Sequence, residues 1–329
     1  MNNGHFWSED EITDLQALRS EDFMEKYPNV SPDAYRLRKA VEIKKVEVAA
    51  PVRFTGDGQY EPTPWEYTPN KPFGKVLERH VILSDIHGPY VQQEAFKAVL
   101  NFIRDFKPTH IDLLGDITDF FDISRYTKDP IRKMFLGREV AFTIDVILAE
   151  LRAAAPKAQI TWVAGNHEDR FTSYLANKAP ELASLPSLDM RSLFETEKLR
   201  IIYTTSAIEL GDTVLTHGHM ARKGSGATAR AMLDTYGRSV LHGHTHRMGA
   251  IYKTSNRKTF MAFENGCLCK FDVPFIKDST ADWQHGFSVA WLYGDGKFRF
   301  EQISIPDDMT LAYGGKMYGV DDVVVDCHD

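Results

Sequence analysis

Five short apolar runs punctuate the chain: "HVILSD", "HIDLLGD", "QITWVAGN", "DTVLTHG" and "RSVLHGH". Each is rich in Val, Ile and Leu and stops in a loop of Asp, Asn, His and Gly, the pattern of strands buried on both faces. Between the early runs the period changes. "QQEAFKAVLNFIRDF" and "MFLGREVAFTIDVILAELRAAA" read as helices, so the order strand, helix, strand predicts an α/β sheet with parallel strands at its centre. In such sheets ligands collect outside the carboxyl ends of the strands, where every one of these polar loops lies.

The first fifty residues read separately. Ser8 followed by Glu11 has the form of a capping box, with Trp7 and Ile12 placed for a hydrophobic staple, and a helix over about 9–19 follows. Ser20 is placed to cap a second short helix carrying Phe23 and Met24 that breaks near Pro28; Ser31 caps a third, with Pro32 at its first position. Three short helices resemble a helix-turn-helix module. The third holds Arg36, Arg38, Lys39, Lys44 and Lys45 against Glu42, the charge a DNA-reading helix needs, yet residues 1–50 together hold ten acids and seven bases. Two readings stay open, a DNA-binding module or a helical cap. Residues 51–77, with five prolines, three glycines and no period, read as an extended linker or a strap across the surface.

Composition narrows the function classes. At 43% hydrophobic and 26% charged over 329 residues, the chain is globular, with room for one large domain and a small one. The start "MNNGHFWSEDE" lacks a signal-peptide pattern and nowhere do about 18 apolar residues run together, so neither secretion nor membrane spanning is expected. Cys267, Cys269 and Cys327 form no Cys-x-x-Cys pair, which predicts a reducing, cytoplasmic setting without disulfides or a thiolate zinc site. The net charge of −7, with an acidic end at "GVDDVVVDCHD", leaves any nucleic-acid binding to a local basic face.

Candidate chemistry lies in the loops that end the five runs. In order they carry Asp85 and His87 ("DIH"), Asp116 and Asp119 ("GDITD"), Asn166, His167 and Glu168 ("GNHED"), His217 and His219 ("THGH"), and His244 and His246 ("HGHTH"). A lone histidine is commonplace, but five successive strand ends bearing metal-binding side chains are not. Nitrogen and oxygen ligands suit manganese, iron, zinc, cobalt or nickel without choosing among them, and argue against a calcium cage or an iron–sulfur cluster; two divalent ions are expected, with manganese the favoured one. If "HGHTH" stays extended, residues two apart project to one side, so His244 and His246 reach neighbouring metals while Thr245 points away. Gly243 then keeps the turn uncrowded. His242, His219, His80 and His110 fall outside the pattern and read as supporting or structural residues.

These five signatures, across roughly residues 80–305, resemble those of the calcineurin-like metallophosphoesterases. The resemblance implies an α/β fold, a two-sheet β-sandwich flanked by helices, with a dinuclear site. It implies one metal at Asp85, His87, Asp116 and His246 and a second at Asp116, Asn166, His217 and His244, bridged by Asp116. His167 matches the family's proton donor, and Glu168 stands where many members have Asp. Only Asp85 and Asp116 among these ligands are charged, so two divalent ions keep a residual charge of about +2 for a bridging hydroxide and a phosphoryl oxygen. Asp119 then orients a ligand or pins its loop, and Glu168 or a neighbour orients the His167 ring.

Substrate signals are local. Arg170 can reach a substrate phosphate or pair with Asp169, while Arg222 and Lys223, ahead of a helix over 228–236, offer phosphate-binding groups. Residues 171–207 are an excursion able to wall one side of the cleft. The domain plan is a helical module at 1–50, a linker at 51–77, a phosphoesterase domain at 78–305 and a tail at 306–329. The expected activity is metal-dependent hydrolysis of a phosphoester. DNA is the substrate if the N-terminal helices deliver it, and a small-molecule or protein phosphate if they only cap the domain. A scaffold without turnover is disfavoured, since every expected ligand and His167 are present.

Overall fold

A computed structural model describes residues 75–125, 135–273, 281–294, 296, 298–319 and 325–326, together with 8, 10–11, 14–15, 18–32, 34–35, 52–54 and 60–62. The chain forms two compact units, Met1–Phe73 and Gly74–Asp329. Among the described residues no helix is long and apolar enough to cross a membrane.

In the smaller unit the capping box is present: Ser8 N donates to Glu11 Oε2 (2.8 Å) and Glu11 N to Ser8 Oγ (3.2 Å). Helix α1 (Ser20–Lys26) begins at Ser20 rather than being capped by it. Arg19 takes the cap position, extended, with its guanidinium bonded to Asp22. Ser31 does cap the next turn, accepting from Ala34 N at 3.1 Å. Leu15, Phe23, Val30 and Tyr35 close a small buried core. The basic positions 36, 38, 39, 44 and 45 lie outside the described residues. Within the stretch expected to be an extended linker or a strap across the surface, β1 (Val52–Phe54) pairs antiparallel with β2 (Tyr60–Pro62), a three-residue ladder that satisfies backbone groups otherwise left to water.

The larger unit opens with β3 (Val76–Leu83), α2 (Gln93–Phe106), β4 (His110–Leu114), α3 (Leu136–Phe142), α4 (Ala149–Ala154), β5 (Gln159–Val163), α5 (Asn166–Lys178), α6 (Met190–Leu193) and β6 (Ile201–Thr204). A π-helical stretch, Thr143–Leu148, joins α3 to α4. It continues with β7 (Ile208–Leu210), β8 (Thr213–Thr216), α7 (Ala227–Tyr236), β9 (Ser239–His242), β10 (Met248–Ser255), β11 (Lys258–Asn265), β12 (Gly286–Tyr293) and β13 (Phe298–Ser304). One sheet has the order β13-β12-β3-β4-β5-β6, parallel from β3 to β6; the other has the order β10-β11-β9-β8-β7.

The two sheets pack face to face. Ile82, Leu114 and Val163 of the first meet Leu215, Leu241 and Phe263 of the second. The alternate positions, Val81, Leu83, Ile111, Leu113, Ile160 and Trp162, face the other way and are buried in a second core with Phe96, Val99, Phe102 and Ile103 of α2. Both faces of these strands are therefore apolar, which is why the runs do not alternate. Each such Val, Ile or Leu contributes about 1.5–3 kcal/mol by burial. Helix α7 covers the outer face of the second sheet through Ala229, Met232 and Leu233.

Of the stretch expected as a tail, residues 306–319 are described and pack on this unit. Strands β14 (Leu311–Tyr313) and β15 (Lys316–Tyr318) form a hairpin, with β16 (Val325–Asp326) beside it. Leu311 and Tyr318 are buried in the helix-covered core, where Phe102 meets the Tyr313 and Tyr318 rings at 5.2 and 5.5 Å. Its apolar residues sit among charges, so the sequence conceals a contact made across some two hundred residues.

Candidate metal centre

Strands β3, β4 and β5 are neighbours and parallel, so the loops beginning at Ser84, Gly115 and Ala164 leave the sheet side by side. Strands β8 and β9, also parallel neighbours, deliver His217 and the segment His244–His246. Backbone bonds tie the first loops together: Asp85 N to Gly115 O (3.1 Å) and His87 N to Asp116 O (2.9 Å). Twelve non-glycine residues among those described have positive φ, and five of them are Asp85, His87, Asp116, His244 and His246. Left-handed backbone costs roughly 1–2 kcal/mol per residue and persists only where the surroundings impose it. Five of the twelve strained positions thus gather at one site.

This corrects the expectation for "HGHTH". Strand β9 ends at His242, and His244 (φ 70°) and His246 (φ 58°) are left-handed, not extended. Thr245 between them is buried. Two left-handed turns, not strand alternation, send the two imidazoles to different clusters. Gly243 is required by close approach, since a Cβ there would lie 2.6 Å from Asp85 Oδ2. Gly165 is required likewise, because a Cβ would strike the Asp116 carboxylate.

The side chains converge in overlapping groups, among them Asp85, His87 and Asp116, and Asp116, His217 and His244, in each of which the ligand atoms lie within 4.8 Å of one another. Asp116 belongs to both. Its Oδ2 is 3.3 Å from His217 Nε2 and 3.9 Å from His87 Nε2, while its Oδ1 accepts from His167 N at 2.9 Å. Asn166 Oδ1 lies 3.0 Å from His217 Nε2, and Asp85 Oδ1 3.3 Å from His246 Nε2. The side chains predicted for each ion are thus brought together.

Ring orientation tests whether ions fit. His217 Nδ1 donates to Leu114 O at 2.8 Å, leaving the Nε2 lone pair to face Asn166 Oδ1, Asp116 Oδ2 and, at 3.2 Å, His244 Nδ1. His87 Nδ1 faces Asp119 Oδ1 (3.3 Å), leaving its Nε2 3.0 Å from His246 Nε2. Acceptors aimed at acceptors are reconciled by a shared cation. Burial works against charge on His217, yet Asp116 and Asp85 outweigh it and push its pKa up to about 10. Burial and His217 push His244 down to about 4, making it a neutral donor. The cluster binds positive charge, as protons or as metal ions, and its nitrogen and oxygen donors fit divalent transition ions.

The calcineurin-like phosphoesterase family model matches residues 79–248, just over half of the chain. The chain belongs to the calcineurin-like phosphoesterase family. It is a metal-dependent phosphoester hydrolase, of a family that works with a dinuclear metal site. It is similar to the gene 54 protein of Mycobacterium phage L5, 28% identical over 236 residues, which are 67% of this chain and 91% of that protein. The gene 54 protein of Mycobacterium phage D29 is 28% identical over 235 residues, with the same coverage of 67% and 91%. Among solved structures, Vps29 from Entamoeba histolytica complexed with zinc superposes with TM-score 0.39 at 14% identity, covering 74% of this chain and 99% of that one. Vps29 from Cryptosporidium parvum gives 0.35 at 15% identity, over 70% and 97%.

Around the phosphoesterase ligands the structure redistributes the supporting roles. Asp119, not Glu168, holds His167: the imidazole Nδ1 lies 2.8 Å from Asp119 O and 3.1 Å from its Oδ1. Glu168 turns the other way and accepts from Gly165 N, Asp116 N, Ile117 N and Thr118 N, tying the "GNHED" loop to the "GDITD" loop. Burial and the Asp116 charge push Glu168 up to about 7. Arg170 does not pair with Asp169. Its Nη1 donates to Asp119 O and its Nη2 lies 2.7 Å from His167 Nε2.

Arg222 and Lys223 are both exposed. Arg222 lines a separate surface cleft of about 410 Å³ with Arg230 and Asp234, and its backbone carbonyl accepts from Arg247. His219 is exposed, and His242 is buried with Nδ1 on Gly243 O and, among the described residues, no partner for Nε2. Three contributors went unseen in the sequence. Cys269 Sγ is 3.6 Å from His246 Nδ1, and the Trp283 ring lies 4.1 Å from that imidazole. Glu139, buried on α3, accepts from Thr118 Oγ1, Asp119 N and Phe120 N. A glutamate inside the apolar "GREVAF" is the one local signal for it.

Proposed function

We propose that the chain holds two divalent ions, one at Asp85, His87, Asp116 and His246 and the other at Asp116, Asn166, His217 and His244, and that it is a phosphodiesterase acting on DNA. The observation that carries the diester reading is a groove of about 540 Å³ that starts at Asn166 and continues past it, lined by Arg125, Arg170 and Lys178. A phosphate at the centre can therefore carry a second esterified group, which a monoesterase has no need to house. The cations lining it suit a polyanion.

Held by these residues, the two ions, manganese by preference, would supply Lewis acidity, an acidified water and positive charge for the phosphoryl oxygens. His167 protonates the leaving oxygen, and Asp119 holds its Nδ1 and so directs Nε2 at the substrate. Arg170 occupies that Nε2 in this arrangement. When its guanidinium turns to a phosphoryl oxygen, Nε2 is released, and removing a neighbouring positive charge raises the imidazole pKa at the moment a donor is needed. The free, buried Cys267 and Cys269 support a cytoplasmic setting.

A substrate panel tests this reading: single- and double-stranded DNA, RNA, cyclic nucleotides and phosphopeptides, each with manganese, iron, zinc, cobalt and nickel. DNA cleavage that depends on added metal is expected. Turnover of phosphopeptides or monoesters with no cleavage of any polynucleotide would overturn it and make the protein a phosphatase.

A further inference from the structure

Helix α5 leaves the metal centre at Asn166 and carries Arg170, Tyr174 and Lys178 outward at four-residue intervals. Residues four apart share a helix face, so these three make one strip, with successive positions about 6 Å apart along the axis. All three line the groove, as do Ser124 and Arg125. Tyr174 is 42% exposed. Among the described residues the side chains of Arg125, Tyr174 and Lys178 enter no ion pair, hydrogen bond or ring contact, so folding does not explain them.

An unpartnered aromatic face between two cations is the chemistry of a single strand: bases stack on aromatic rings in a sequence-tolerant way, and lysine and arginine follow the backbone phosphates. We propose that this strip is the track for a single-stranded segment of the substrate. Arg170 takes the oxygens of the scissile phosphate, a base stacks on Tyr174, and Lys178 and Arg125 take neighbouring phosphates. The proposal rests on the polynucleotide reading and adds the strand's form and path.

The test uses the full chain loaded with manganese, with thymidine 5′-p-nitrophenyl phosphate and short oligothymidylates of increasing length. Tyr174→Ala is expected to raise KM for the oligomers about tenfold, the scale of one lost base stack, and Tyr174→Phe to restore it. Lys178→Ala with Arg125→Ala is expected to make the log–log salt dependence shallower by about 1.4, for two phosphate contacts on a single strand. Tyr252→Ala, which removes an exposed aromatic on β10, is the unchanged control. If the parent protein hydrolyses the p-nitrophenyl ester but no oligomer, the polynucleotide reading falls. If it cleaves the oligomers while Tyr174→Ala keeps the parent KM and the double variant the parent salt slope, the track alone falls.

Discussion

Two histidine clusters share strands β3 and β4, one past their carboxyl ends and one nearer their starts, and by proximity alone they are alike. Glu78, His80 and His110 present ligand atoms within 4.8 Å of one another, just as Asp116, His217 and His244 do. Orientation separates them. His80 Nδ1 faces Asp112 Oδ2 at 2.7 Å and its Nε2 faces Glu78 Oε2 at 3.0 Å, so a doubly protonated ring there is fully satisfied. The His80 and His110 rings stack at 4.4 Å, only 10° from parallel, and lone pairs in parallel planes do not converge on one ion. At the phosphoesterase centre the His217 and His244 rings stand 75° apart, with nitrogens facing nitrogens and oxygens. A metal site is recognised by where its lone pairs point, not by how many ligand-type residues gather.

The contrast is broken most directly by substitution. Asp116→Asn removes the carboxylate shared by both groups and is expected to lower hydrolysis of bis-p-nitrophenyl phosphate at least about a thousandfold, with loss of bound metal. His80→Asn should keep both activity and metal content, measured by turnover and by elemental analysis of the same preparations. Loss of metal from the His80 variant would show that the buried pair is a site after all. Proton release is the next largest contrast. His217 is pushed up to about 10, burial opposing while Asp116 and Asp85 prevail, so its ring carries a proton at pH 8 in the metal-free protein. Metal uptake must expel it. A pH indicator should record about one proton per molecule on metal addition, and affinity should rise with pH up to about 10; uptake without proton release would mean that the His217 ring is already neutral before the metal binds.

How far the sequence discloses this centre follows from the range of each contact. The motifs carry their own ligands within a few residues of a strand end, so "DIH", "GNHED" and "HGHTH" are legible one by one and the parallel sheet brings them together. Backbone handedness is not legible that way: the left-handed His244 has its amide held on the Asp85 carboxylate (3.1 and 3.0 Å), a contact across 159 residues. The sequence left open whether Glu168 or a neighbour orients His167; four backbone N–H groups of two loops claim the buried Glu168 carboxylate, and Asp119 takes the imidazole. Tyr313 and Tyr318 show the same limit in packing, since only the fold brings them to Phe102.

The smallest effect concerns the pair that holds no metal. Burial depresses His80, but Asp112 and then Glu78 outweigh it and hold its pKa above the ordinary histidine value. A folded pKa above the unfolded one means that the bound proton stabilises the fold fully below the unfolded pKa of about 6.5, and that this contribution is lost as pH rises through the folded value. Asp112→Asn removes the largest partner favouring the charge. Urea unfolding at pH 6 and pH 9 should therefore show a smaller fall in stability for the variant than for the parent, on a background loss of about 1–3 kcal/mol for the altered buried hydrogen bond. An identical fall would mean that His80 is neutral in the fold. Its Nε2 lone pair would then face Glu78 as those at the metal centre face their neighbours, and the distinction between the two clusters would rest on ring stacking alone.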